Sequence, residues 1–237
     1  MNNDRERYLS TSEVKQLLNH ISDFRELLFV KLALSTGGRL QTILHIKKKD
    51  INLARGSVLL QDLKNNSTYT GFLHDDVKDM LEKYLPTLKG DEYVIGRKRT
   101  RLSDNAMART IRPTLNKLFN QGLAKDDRKN RVVIHTFRHT FASHLAINGT
   151  PIFTIQKLMN HRDIKMTMRY AKLAPDSGMD WDGYGEEFIH MTLMYIKRTI
   201  NYFIYLDILS QFKISTFQSL NRVICTSFCY FSIFYPF

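Results

Sequence analysis

The chain has little cysteine. Its 237 residues include two, Cys225 and Cys229. No disulfide framework can hold the fold, and a cytoplasmic setting is the expectation. One Cys-x-x-x-Cys spacing with no other cysteine nearby falls short of a metal-site pattern. The sequence also lacks an apolar run of the roughly 20 residues that a membrane helix needs. Its first residues are polar and charged where a secretory signal would be apolar. Acid is scarce relative to base, with 23 Asp+Glu against 35 Lys+Arg and a formal net charge of +12. The excess is uneven. Residues 179–237 hold four basic and five acidic side chains, which leaves 31 basic and 18 acidic, or +13, in residues 1–178. Such a balance suits a polyanionic partner, most simply nucleic acid, although a solvated basic surface has the same composition. The length allows one good core, with room for an appendage.

What is present is mostly helical patterning. Ser10-Thr-Ser-Glu13 has the capping-box form and opens a helix through Val14, Leu17, Leu18 and Ile21. Residues 23–35 form a second helix, apolar on most faces and therefore buried. Thr36-Gly37-Gly38 breaks it, and a new helix opens at Arg39. Residues 57–61 and 67–72 read as two short strands, with Lys64-Asn65-Asn66 in the turn between them. A helix over 77–85 stops at Pro86, and a longer one spans about 103–121, where Pro113 predicts a kink or a break. A helix from near Thr136 turns Phe137, Phe141, Leu145 and Ala146 to the core. Asn148-Gly149-Thr150-Pro151 ends it, residues 152–159 form the next, and residues 166–173 another. Basic loops at 97–101 and 125–131 are placed to touch backbone phosphates without reading sequence. The fold class is mainly α with a small antiparallel β-sheet.

The chemistry is concentrated in residues 133–173. His135 and Arg138 are three apart in a helical run, so both sit on one face and can grip one ligand group. His161 lies 23 residues beyond Arg138, and Tyr170 nine beyond His161. A guanidinium, two imidazoles and a phenol suit a phosphate better than a carbonyl or a metal. Arginine holds phosphate as a rigid fork, and tyrosine can attack as an oxygen nucleophile and stay attached. Each residue alone has a bland reading: a packed aromatic for Tyr170, an exposed arginine after a glycine cap for Arg39, a solvated turn lysine for Lys64. In this order and spacing the bland readings of Tyr170 and Arg39 lose, while Lys47 to Lys49 stand as less well placed alternatives to Lys64. His139 is an unassigned neighbour, and His144 a packing or surface residue.

These residues together resemble the catalytic end of the tyrosine recombinases, the phage integrase family, over about residues 9–178. Thr36-Gly37-Gly38-Arg39 is similar to the family's first arginine motif, and His135-Thr-Phe-Arg138, His161 and Tyr170 follow in the family's order. The resemblance implies the integrase-type catalytic fold, with Arg39, Lys64, His135, Arg138, His161 and Tyr170 as site residues. Two departures stand out. Thr42 occupies a place where the family usually has a carboxylate that orients the first arginine, and Asn160 replaces a common glycine. Asparagine tolerates the left-handed backbone, so the second change is mild.

The implied reaction is site-specific cleavage and rejoining of double-stranded DNA, as in integration or excision of a mobile element. Tyr170 attacks a phosphodiester and displaces the 5′ oxygen, leaving a 3′-phosphotyrosyl bond. Arg39 and Arg138 neutralise the non-bridging oxygens, His161 donates to one of them, and Lys64 protonates the leaving oxygen. His135 is either the proton acceptor or a phosphate ligand. No cofactor and no metal are required. The implied assembly is a homotetramer on two DNA sites, with room for an accessory DNA-bending protein and no membrane partner. Two alternatives stand beside it: a type IB-like topoisomerase, and a truncated remnant that binds DNA without cleaving it. The domain expectation is a catalytic domain over 1–178, without the family's N-terminal clamp, and an atypical tail over 179–237. That tail holds 15 of the 27 aromatic residues, and it reads as a fused or frameshifted end or as a partner-binding segment.

Overall fold

A computed structural model of the chain describes residues 7–64, 66–97, 100–124 and 126–175. The expected tail lies outside them. Helix α1 (Thr11–His20) opens on the reciprocal capping box read from the sequence: the Ser10 hydroxyl accepts from the Glu13 N–H at 3.3 Å, and the Glu13 carboxylate accepts from the Ser10 N–H at 2.8 Å. Asp23 caps α2 (Phe24–Thr36) by accepting from the N–H groups of Arg25 and Glu26 at 2.9 and 3.0 Å.

The core is built around α2. Leu28, Phe29, Val30, Leu32 and Ala33 are all buried, because α2 is covered from several directions. It packs against α3 (Leu40–Leu44), α4 (Asp75–Tyr84), α6 (Ile134–Ile147) and strand β3 (Ser67–Phe72). Phe29 and Phe137 meet edge to face across the α2–α6 contact, with ring centroids 6.5 Å apart.

The sheet is a three-stranded antiparallel meander in the order β1 (Ile51–Asn52), β2 (Ser57–Asp62), β3. Its last β2–β3 pair is Asp62 opposite Ser67. Alternation along β2 turns Val58, Leu60 and Asp62 to the buried face. Two of those are core aliphatics and the third is a carboxylate.

Several expectations need correction. The loop over 97–101 is in part a hairpin, β4 (Gly96–Arg97) with β5 (Thr100–Arg101). Helix α5 (Asp104–Phe119) runs unbroken through Pro113. Pro113 is exposed, so the ring and the N–H it lacks fall on the solvent side, where water can serve the freed carbonyl. Helix α6 starts at Ile134 rather than near Thr136, because the Thr136 hydroxyl accepts from the Val133 N–H at 3.0 Å and fixes the cap earlier. Residues 166–173 are not one helix. After α7 (Ile152–Leu158), α8 covers only Lys165–Met168, and a single 3-10 turn at Ala171–Leu173 follows, with Tyr170 at the junction. Among the described residues, no helix is long and apolar enough to cross a membrane.

Gly37 couples the core to the arginine motif. It ends α2 in the left-handed region, at φ 63°. A Cβ built there would stand 2.3 Å from the Phe141 ring of α6. Only glycine allows the α2–α3 turn to lie this close to α6. Gly37→Ala is expected to lower the unfolding free energy by about 2–4 kcal/mol, from left-handed strain plus overpacking, measured by urea denaturation.

Candidate functional site

The α2–α3 turn delivers Arg39. Its backbone is extended at the N-cap of α3, and its guanidinium donates to Asp62 Oδ2 at 2.7 Å. Asp62 is 1% exposed. The carboxylate absent at Thr42 is thus supplied from another element, the inner face of β2, and Arg39 is held. Thr42 itself is buried in α3. Sequence reading missed Asp62, although the Val58-x-Leu60-x-Asp62 alternation was the signal that could have found it.

Asp62 also ties together the surroundings of Arg39. Its Oδ1 accepts from the Lys64 N–H at 3.1 Å, and its Oδ2 accepts from the Asn160 side-chain amide at 3.1 Å. Asn160 donates again to Ser67 Oγ at 3.0 Å. Its backbone is left-handed, at φ 49°, as the sequence suggested. One carboxylate therefore joins the arginine turn, the β2–β3 hairpin and the segment leading to His161. Lys64 sits at the tip of that hairpin with an exposed side chain.

Helix α6 delivers Arg138, which is 2% exposed. Its guanidinium donates to the Gly37 carbonyl at 2.6 Å and to the Met159 carbonyl. Among the described residues it pairs with no carboxylate. Burial first, and the nearby Arg39 charge second, push its pKa down to about 10. It remains a cation at neutral pH, in a centre that already holds another. Tyr69 of β3 lies in the same field: burial raises its phenol pKa, and the Arg138 and Arg39 charges oppose that shift.

His161 belongs to this centre. Burial, followed by the charges of Arg138, Arg39 and Arg169, lowers its pKa to about 3. The ring is therefore neutral at physiological pH. Its Nδ1 lies 2.9 Å from the hydroxyl of fully buried Thr167. A hydroxyl donating to Nδ1 leaves the ring proton on Nε2, which becomes a hydrogen-bond donor for a ligand.

Tyr170 is 4% exposed, and its ionised form would favour the Arg138 cation. Its hydroxyl lies 2.7 Å from His139 Nδ1, a residue to which the sequence assigned no role. His135 is exposed at the start of α6, with its ring edge-on to His139 at 4.7 Å between centroids. The expectation that His135 and Arg138 share one face inside the site holds only in part, since Arg138 is buried and His135 stands on the rim. Both border a cavity of about 390 Å³, which Arg39, Arg112 and Arg131 also line. His144 is a packing residue, buried with Nε2 2.7 Å from the Leu9 carbonyl.

This centre gathers two guanidiniums, a neutral imidazole and a buried phenol with an imidazole on its hydroxyl. It is suited to a phosphodiester. The phage integrase family profile matches residues 7–176. The chain belongs to the phage integrase family. It is 29% identical over 168 residues to the tyrosine recombinase XerA of Saccharolobus solfataricus, an alignment covering 71% of this chain and 53% of that protein. It spans about half the length of that relative. The catalytic domain of bacteriophage HP1 integrase is similar in structure, with a TM-score of 0.54 and 25% identity over 72% of this chain and 90% of that one. XerH recombinase, solved bound to its difH substrate, shares the fold at a TM-score of 0.56 and 18% identity, covering 77% of this chain and 52% of that one.

The His161 shift has a consequence for stability. The unfolded imidazole titrates near its ordinary value of 6.5 and the folded one near about 3. Between those values the unfolded chain binds a proton that the folded chain refuses. Stability is present above the unfolded value and falls as pH drops through this window. His161→Gln is expected to flatten that acid limb, measured by urea denaturation at a series of pH values.

Proposed function

We propose that the chain cleaves and rejoins double-stranded DNA at a specific site through a covalent 3′-phosphotyrosyl intermediate on Tyr170. The observation that carries this reading is Arg138, a cation buried beside Arg39 with no carboxylate salt bridge among the described residues, and interacting with Tyr170. A scissile phosphate supplies the missing anion.

In this reading Arg39 and Arg138 take the non-bridging oxygens as paired forks. The negative charge that gathers there in the transition state meets donors already fixed in place, Arg39 by Asp62 and Arg138 by two carbonyls. Neutral His161 donates through Nε2. Tyr170 attacks phosphorus, and the leaving 5′ oxygen takes a proton from Lys64, which the exposed hairpin tip brings over the bound duplex. His135, on the rim, binds the same phosphate or the next one. The bond energy stays in the phosphotyrosine, so a 5′ hydroxyl from another strand can reverse the step and join new partners. Strand exchange between two sites calls for four copies of the chain, and an accessory DNA-bending protein is compatible with that assembly. The excess of basic residues supports contact with the DNA backbone.

A covalent trap tests the reading. Nicked duplexes tiled across the DNA flanking the chain's own gene are incubated with the protein, and SDS-resistant protein–DNA bands are sought. The expected outcome is a band that disappears in Tyr170→Phe, with recombinant joints from intact sites. No band despite a gel shift contradicts the proposal. Supercoil relaxation without joints would mark a topoisomerase instead.

A further inference from the structure

The nucleophile needs a proton acceptor. A free tyrosine has a pKa near 10 and is almost wholly protonated at neutral pH. His135 is the candidate that sequence spacing favours, but it is exposed on the rim. The imidazole at the Tyr170 hydroxyl is that of His139, with Nδ1 2.7 Å from Oη. We propose that His139 is the general base that takes the Tyr170 proton. This assignment rests on the recombinase reading above.

The imidazole tautomer sets the direction of transfer. With its own proton on Nε2, the neutral ring accepts from the phenol at Nδ1. The proton then moves along a hydrogen bond that exists before substrate arrives. Tyr170 is 4% exposed, which limits competition from water for that proton. The two residues come from distant parts of the sequence, His139 from α6 and Tyr170 from the junction after α8. His139 is also the next residue after Arg138, so one helix presents the phosphate-binding cation and the proton acceptor.

Charged and titratable groups around His139 set when transfer occurs. His135 packs edge-on against it from the preceding turn of α6, and Arg138 adjoins it in the chain. His161, from the α7–α8 segment, interacts with it electrostatically, and Tyr170 lies on its Nδ1. A phosphodiester bound between Arg39 and Arg138 would place negative charge beside the imidazolium formed by the transfer, which couples proton removal to the presence of the scissile phosphate.

The step balances. His139 Nδ1 takes the phenolic proton as Tyr170 Oη bonds to phosphorus. The bond from phosphorus to the 5′ oxygen breaks, and that oxygen takes a proton from the Lys64 ammonium. In the rejoining step both protons return: the imidazolium protonates the departing tyrosine, and Lys64 recovers its proton from the attacking 5′ hydroxyl.

The test measures single-turnover formation of the covalent adduct on a nicked duplex across a range of pH, using the full chain. His139→Gln is expected to slow adduct formation by about 100-fold or more. DNA affinity stays within a few-fold, and the rise of rate with pH that wild type shows on its acid side is lost. Added imidazole restores rate to His139→Ala. His135→Gln slows the reaction by less than about tenfold. The assignment is overturned if His139→Gln keeps the wild-type rate, or if it is slow but keeps the acid limb and His139→Ala gains nothing from imidazole. Absence of adduct from the wild-type chain would strike at the recombinase reading itself and take this assignment with it. Adduct that forms at the wild-type rate in His139→Gln overturns the assignment alone.

Discussion

A buried guanidinium held by two carbonyls, with no carboxylate salt bridge among the described residues, sets the terms for the rest of this molecule. Removing a cation from water costs several kcal/mol even after relaxation. Arg138 is 2% exposed, and carbonyl oxygens from two other segments, at Gly37 and Met159, answer its donors. Those bonds use two of its five donors and bring no negative charge to it. The fold therefore keeps a positive centre, which on the proposed reading an entering phosphate relieves. Arg39 deepens it, and the neutrality of His161 follows from burial within it.

The backbone exceptions follow from the same requirement. Gly37 offers its carbonyl to Arg138 because the α2–α3 turn presses against Phe141, which a side chain at residue 37 would prevent. Asn160 takes a left-handed conformation just after Met159, whose carbonyl is the second partner of Arg138. The Asn160 amide reaches back to Asp62, so the segment that supports Arg138 is tied to the carboxylate that holds Arg39. The two guanidiniums thus share a scaffold, although 98 positions separate Asp62 from Asn160.

Much of this was legible in residue order. Ser10 and Glu13 announced α1, and Thr36-Gly37-Gly38-Arg39 announced a break with an arginine beyond it, because local chemistry decides caps and turns. His135, Arg138, His161 and Tyr170 stood out through type and spacing. Relations between distant segments were less legible. Spacing placed His135 and Arg138 on one face, but the packing of α2 against α6 decided that one is buried and the other stands on the rim. The bond from His139 to Tyr170 spans 31 residues and depends on how the chain turns after α8. Asp62 is a middle case. Alternation in β2 marked it as inward-facing, but only the tertiary fold brings Arg39 to it. Pro113 misled because its effect depends on exposure, which the residue alone does not reveal.

The central claim is that Arg138 is kept as an unbalanced buried charge for a phosphate to complete. The most direct measurement compares unfolding free energy in phosphate and in chloride at matched ionic strength, for wild type and Arg138→Gln. An anion that binds the folded state alone stabilises it by mass action, whereas the general salting effect of phosphate acts on both proteins alike. Wild type is expected to show a phosphate-specific gain that Arg138→Gln loses. Equal gains in the two proteins would contradict it.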